Sequence, residues 1–262
     1  QLVEQILSKA QSIPNDLRDL IVNSADGNPF YVEELIKMLI EDGVIVKGAD
    51  RWWVEDERLT NLRIPQTLTG VLQARLDALP TSERTLLQRA SVVGRIFWDQ
   101  TIAHMYAEED DHIDDPGAGL TALRRRELIR GREQSAFAGA EEYIFKHAIL
   151  RDVTYESVLR RLRRVYHAQV ADWLVERAGD RVNEYTGLIA DHYEHAGQSE
   201  KALTYLIRAG EQALNISAYR DAISRLERAL AILIEVEMDD KVAREAQIKL
   251  LLGQAYRGLS AY

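Results

Sequence analysis

Cysteine is absent from this chain of 262 residues. Disulfides and thiolate chemistry are therefore excluded, and the redox character of the compartment stays open. Long apolar runs are missing too: none reaches the roughly 20 residues that cross a bilayer as a helix. The amino end, Gln1 to Pro14, lacks the charged-then-apolar order of a secretion signal. A cytoplasmic location without membrane contact is the expectation. No Gly-x-x-x-x-Gly-Lys-Ser/Thr run can cradle phosphates, and no Gly-x-Ser-x-Gly or His-Glu-x-x-His motif supplies a nucleophile or a zinc helix. Taken alone, the chain is expected not to be an enzyme. Positive charge is in deficit: 33 Lys and Arg against 42 Asp and Glu give a net −9, which opposes general affinity for nucleic acid.

What is present suits a globular protein, with 46% hydrophobic and 29% charged residues. The length allows about two or three modest cores. The first residue is Gln1, and Tyr262 falls within a helical pattern, so a fragment of a longer protein is expected.

Residues 1–43 read as helices. The clearest opens with Asn28 as N-cap and Pro29 at the first helical position, where a missing N–H costs nothing. Val32, Leu35, Ile36, Leu39 and Ile40 then share one face, and Gly43 closes the helix. Residues 43–54, β-branched and aromatic around Gly48-Ala49-Asp50, predict a hairpin. Pro65 is expected to open a helix carrying Leu68, Val71, Leu72, Leu76 and Leu79; Leu86, Leu87, Ala90 and Val93 mark the next. Helices around Trp98–Tyr106 and Leu120–Glu127 follow, separated by the acidic run Glu108–Asp115, then strand-like Leu128–Arg130 and Tyr143–Lys146. Three helices followed by two strands is the order of a winged helix, over roughly 81–147.

Beyond His147 the pattern is wholly helical, over approximately 148–158, 160–178, 185–196, 199–216, 219–236 and 241–259. Tyr193, Gly197, Ala202, Leu206 and Ala209 fit tetratricopeptide (TPR) spacing; Ala222, Leu226 and Ala229 repeat its second half, and Leu252-Gly253-x-x-Tyr256 reads as another opening. Small residues let neighbouring helices approach, and Tyr or Leu fills the space beside them.

The segments GNPFYVEELIKMLIEDGVI, IPQTLTGVLQARLDALP, FKHAILRDVTYESVL and HYEHAGQSEKALTYLIRAGEQAL occur in that order. This order resembles the carboxy-terminal part of STAND-type, AAA+-like signalling ATPases, bacterial ones that accompany a nucleotide cyclase, a kinase or a LuxR-type regulator. The resemblance implies that Pro29 of Gly27-Asn28-Pro29 lies against an adenine ring. It also implies that His147 contacts the β-phosphate of ADP, as the histidine of a Met-His-Asp motif does in related members. Here Ala148 stands in place of the aspartate, so that support has no counterpart. The implied cofactors are ATP or ADP with Mg²⁺, bound in a longer parent whose upstream P-loop domain grips the phosphates; none is expected to bind tightly to this chain alone. The residues also allow plainer roles, Asn28-Pro29 as a helix start and His147 as a cap after a strand.

Other clusters allow plain roles as well. Arg124–Arg126 with Arg130 and Arg132, and Arg160, Arg161, Arg163 and Arg164, read as solvated or salt-bridged faces, or as a DNA-binding winged helix. The acidic run lacks the glycine turn and terminal glutamate of an EF-hand and reads as a solvated loop. His192 and His195 are i, i+3, a chelating spacing with no third ligand evident, and they also fit packing between repeats. The expectation is a mainly α chain in three parts: a lid-like segment with a small β-hairpin (1–64), a winged helix (65–147) and antiparallel TPR-like repeats (148–262). Its expected role is nucleotide sensing and protein interaction within a signalling ATPase. The alternatives are an adaptor indifferent to nucleotide, or a winged-helix DNA-binding regulator.

Overall fold

A computed structural model of the protein describes residues 14–25, 27–48, 52–55, 58, 64–107 and 116–260. The readings of residues 1–13, of the turn at 49–51 and of the acidic run 108–115 lie outside the described residues. Among the described residues the chain is mainly helical with two small sheets. In order, the elements are α1 (Asn15–Ala25), α2 (Pro29–Glu41), β1 (Ile45–Lys47), β2 (Trp52–Val54), α3 (Leu68–Asp77), α4 (Thr81–Val93), β3 (Ile96–Trp98), α5 (Asp99–Ala107), α6 (Pro116–Arg125), β4 (Ile129–Gly131), β5 (Glu142–Phe145), α7 (Ala148–Ser157), α8 (Arg160–Ala178), a 3₁₀ turn (Gly179–Arg181), α9 (Val182–Ala196), α10 (Ser199–Asn215), α11 (Tyr219–Glu235) and α12 (Lys241–Ser260). They divide into two compact units. One holds Gln1–Thr85 with His147–Glu156, the other Leu86–Lys146 with Ser157–Tyr262.

In the first unit α2 is fixed at both ends by its own sequence. The Asn28 side chain accepts from the N–H groups of Phe30 and Tyr31, at 3.0 and 3.3 Å, and Pro29 occupies the first turn. At the far end Gly43 (φ +68°) donates to Ile40 and Val44 donates to Leu39, closing a Schellman motif that a left-handed residue makes possible. Between the caps Leu35, Ile36 and Leu39 are buried against Leu17 and Ile21 of α1, Val71 of α3 and Ile45 of the β1–β2 hairpin. The α3 helix starts later than Pro65: Thr67 is its N-cap, accepting from Gly70 N at 3.1 Å. Pro65 instead offers its carbonyl to the Tyr31 hydroxyl at 2.5 Å.

The second unit holds an antiparallel sheet in the order β3-β5-β4, with Phe97 opposite Tyr143 and Ile129 opposite Phe145. Strand β3 has no counterpart in the sequence reading, which expected two strands and a helix beginning near Trp98. Three residues are too short to show alternation, and Ile96–Trp98 becomes a strand only by pairing with distant Glu142–Ile144. Glu142 is buried, yet it is satisfied: Trp98 Nε1 and Ala136 N donate to it at 2.8 and 2.9 Å, and Arg132 pairs with its other oxygen. Phe137, in the β4–β5 connection, packs among Trp98, Trp173 and Tyr185 with ring centroids 4.9–5.0 Å away. Arg177 and Arg181 bond the carbonyls of Ala138 and Ala136, which ties this connection to α8 and to the 3₁₀ turn.

Each helix from α8 to α12 packs on the next across a short turn. Small residues set the spacing. A Cβ on Gly210 of α10 would come within 2.6 Å of Leu226 of α11. The α10–α11 turn is a Schellman motif, Ser217 N to Leu214 O and Ala218 N to Ala213 O, but Ser217 holds the left-handed position at φ +59°. Ser217→Gly relieves that conformation while gaining some unfolded-chain entropy. It is expected to raise stability by about 0.5–1 kcal/mol in urea unfolding, and a destabilised variant would contradict this account.

Candidate functional site

The four sequence-derived candidates all belong to the first unit. Gly27 is exposed with φ +77°, and a Cβ placed there would meet nothing within 4 Å. Asn28 is spent on capping α2, and Pro29 lies exposed on its first turn. His147 precedes α7, and its carbonyl accepts from Arg151 N, so it does begin a helix. Its ring packs on the ring of Phe30 with centroids 3.9 Å apart and 44° between planes. The residue next to Pro29 thus seats the imidazole that arrives from far along the chain. Gly27-Asn28-Pro29 and His147 come together through Phe30.

One turn further along α2, Glu33 and Glu34 approach the same histidine. Each of the three offers one ligand-capable atom, and these atoms lie within 4.8 Å of one another. Two carboxylates and an imidazole are a conceivable metal set, but the carboxylates are already engaged. Lys37 Nζ stands 2.7 Å from Glu33 and 3.2 Å from Glu34. Arg75 of α3 pairs with Glu34 from below and forks onto Glu41 with bonds of 2.9 and 2.7 Å. Glu34 and Arg75 are each 2% exposed. Burial alone would pull the Arg75 pKa down, but hydrogen bonds and Coulomb attraction from Glu41 and Glu34 raise it above its ordinary value. Arg75 therefore stays protonated at any ordinary pH. The network fixes the face of α2 on which His147 rests.

Sequence reasoning overlooked Glu33, Glu34 and Arg75. Glu33 to Lys37 at i, i+4 was visible as a helical pair. Nothing local marked Arg75, which sits on the apolar stripe of α3 beside Leu72 and Leu76.

The arginine clusters lie in the second unit. Arg124, Arg125, Arg130 and Arg132 are exposed, with Arg132 committed to Glu142. Arg163 donates to Val158 O at 2.9 Å, and the Arg164 guanidinium lies against Gly197. In the same unit α9, α10 and α11 enclose a groove of about 550 Å³, lined among others by Asn183, Leu188, Gln212, Ile216 and Arg225. Thr186 donates to Gln212 across its floor at 2.6 Å, and Ile216 is 78% exposed beside it.

No family model and no solved structure matches the chain. It is similar to a protein of Rhizobium meliloti described only as uncharacterized, with 31% identity over 232 residues, covering 86% of this chain and 21% of that protein. The chain thus spans about a fifth of the length of the curated relative it matches.

Proposed function

We propose that this chain is the nucleotide-sensing and protein-interaction portion of a signal-transduction ATPase, built as a lid with a hairpin, a winged helix and TPR-like repeats. The observation that carries the reading is the contact of Phe30 with His147, at 3.9 Å between ring centroids. It brings His147 against the residue that follows Pro29, although the chain separates them widely. The residues present fit such a nucleotide in part. Pro29 has an exposed ring whose flat apolar face suits adenine, and an imidazole N–H can donate to a phosphate oxygen. Glu33 and Glu34 oppose an added anion, and Lys37 and Arg75 offset them. In this reading an upstream P-loop domain of the longer protein would grip the Mg²⁺-bound phosphates.

In this reading ATP and ADP bind unequally to two arrangements of the lid, and that difference is what a switch transmits. The Phe30 ring packs against the His147 imidazole, which in this reading senses the β-phosphate of ADP. The groove beside Ile216 and Leu188 is the surface offered to a protein partner. His147→Ala in the full-length protein is expected to speed ADP dissociation by about tenfold, the loss of a charge-assisted hydrogen bond. Unchanged ADP retention would remove His147 from the mechanism. That same groove favours a second reading, an adaptor whose partner binds regardless of nucleotide. Partner affinity that stays constant between ADP and ATP would select it.

A further inference from the structure

The start of α8 carries Arg160, Arg161, Arg163 and Arg164, with no acid among them. Arg163 is turned back onto the Val158 carbonyl. Arg160, Arg161 and Arg164 are exposed, and among the described residues none of the three has a hydrogen-bond or ion-pair partner. With 3.6 residues per turn, Arg160, Arg164, Arg161 and Val165 fall in that order across an arc of roughly 140°. Leu159 stands just before them and is 59% exposed; Val165 is 46% exposed. The whole patch belongs to the second unit, and nothing in its argument depends on the nucleotide reading.

This arrangement costs the helix stability. Arg160 and Arg164 are i, i+4 and Arg161 and Arg164 are i, i+3, so both pairs repel across one turn. Later helices of the same unit place acids at that spacing instead. Arg225 pairs with Asp221 and Arg244 with Asp240, while Arg228 meets Asp191 and Glu194. A single exposed aliphatic residue is ordinary, but here two of them border three cations that lack a counter-charge.

We propose that this face of α8 docks an acidic, amphipathic segment of a partner protein. Its carboxylates meet Arg160, Arg161 and Arg164, and its aliphatic side chains cover Leu159 and Val165. A guanidinium is a planar fork that suits carboxylate and phosphate alike. Two features favour the carboxylate. The net charge of −9 repels an extended polyanion such as duplex DNA or an anionic bilayer. A short segment confined to the patch is screened from charges more than about 8 Å away at physiological salt. Leu159 and Val165, moreover, gain from burial only against apolar surface, which a sugar-phosphate backbone does not offer. Five side chains make a small interface, so the contact is a reversible one.

The test is fluorescence anisotropy of a labelled amphipathic helical peptide built from Glu, Leu and Ala, titrated with the 262-residue chain. Saturable binding that weakens with added salt is expected. The triple variant Arg160→Gln, Arg161→Gln, Arg164→Gln should bind about tenfold more weakly, and Leu159→Ser with Val165→Ser about threefold. Arg124→Gln with Arg125→Gln, which neutralises exposed arginines elsewhere in the unit, should change nothing. All the altered side chains are exposed, and the triple variant should keep or raise the urea midpoint, since it removes like-charge repulsion. A lowered midpoint would make these arginines part of the fold and overturn the proposal. So would unchanged peptide affinity in the triple variant, or equal weakening in the Arg124 and Arg125 control. Phosphatidylserine vesicles or a short DNA duplex that bind more tightly than the peptide through the same three arginines would overturn the assigned partner.

Discussion

Arg75→Ala is expected to destabilise the first unit by about 3–5 kcal/mol, the cost of leaving a buried charge without its partner. Arg75 is the cation beneath α2. It meets Glu34, which is 2% exposed, and forks onto Glu41. Without it Glu34 keeps, among the described residues, the ion pair with Lys37 at 3.2 Å, and it cannot reach water. The loss should fall on the β1–β2 hairpin and α2 together, so Trp52 and Trp53 fluorescence in urea is a suitable probe. Arg75→Met with Glu34→Met should cost less than Arg75→Ala alone, because removing both charges removes the desolvation penalty as well. A single variant within about 1 kcal/mol of the parent would show that the pair is solvated in solution. The same change should loosen the seat of His147, since α2 carries Phe30, Glu33 and Glu34 on one rigid segment.

Phe137→Ala is expected to cost the second unit about 3–5 kcal/mol, the range for deleting a buried aromatic side chain. Phe137 is 3% exposed, with its ring edge-on to Trp98 and Trp173 and stacked on Tyr185. Trp98 lies on β3, Trp173 on α8 and Tyr185 on α9, so one side chain holds a strand and two helices to the β4–β5 connection. The near-ultraviolet dichroism of Trp98 and Trp173 should collapse before helicity does. Phe137→Leu, which fills most of the volume without the quadrupole, should lose less. Retained tryptophan dichroism in Phe137→Ala would mean that Arg177 and Arg181 suffice to hold the connection.

The contrast between these two residues shows what the sequence could reveal. Helix α2 was legible because its start, stripe and stop are local: Asn28 caps, Leu35, Ile36 and Leu39 share a face, and Gly43 turns left-handed. The helices from α8 onward were legible within a few residues for the same reason. Arg75 was not, since a cation on an apolar stripe has meaning only once Glu34 and Glu41 sit opposite it. Phe137 lies in a Ser-, Ala- and Gly-rich stretch with no periodicity, and its partners come from three distant segments. The candidate site was half visible in the same sense. Gly27-Asn28-Pro29-Phe30 and His147 stood out as motifs, but the ring contact joining them is tertiary.

Because the first unit gathers Gln1–Thr85 and then His147–Glu156, it is interrupted by a long excursion into its neighbour. On the ribosome, Phe30 waits for its imidazole partner until the whole excursion has been made. The growing polypeptide therefore carries an open face on α2 for several seconds at ordinary elongation rates of roughly 5–20 residues per second. Closure of that face comes after, not before, the β3-β5-β4 strands have left the exit tunnel.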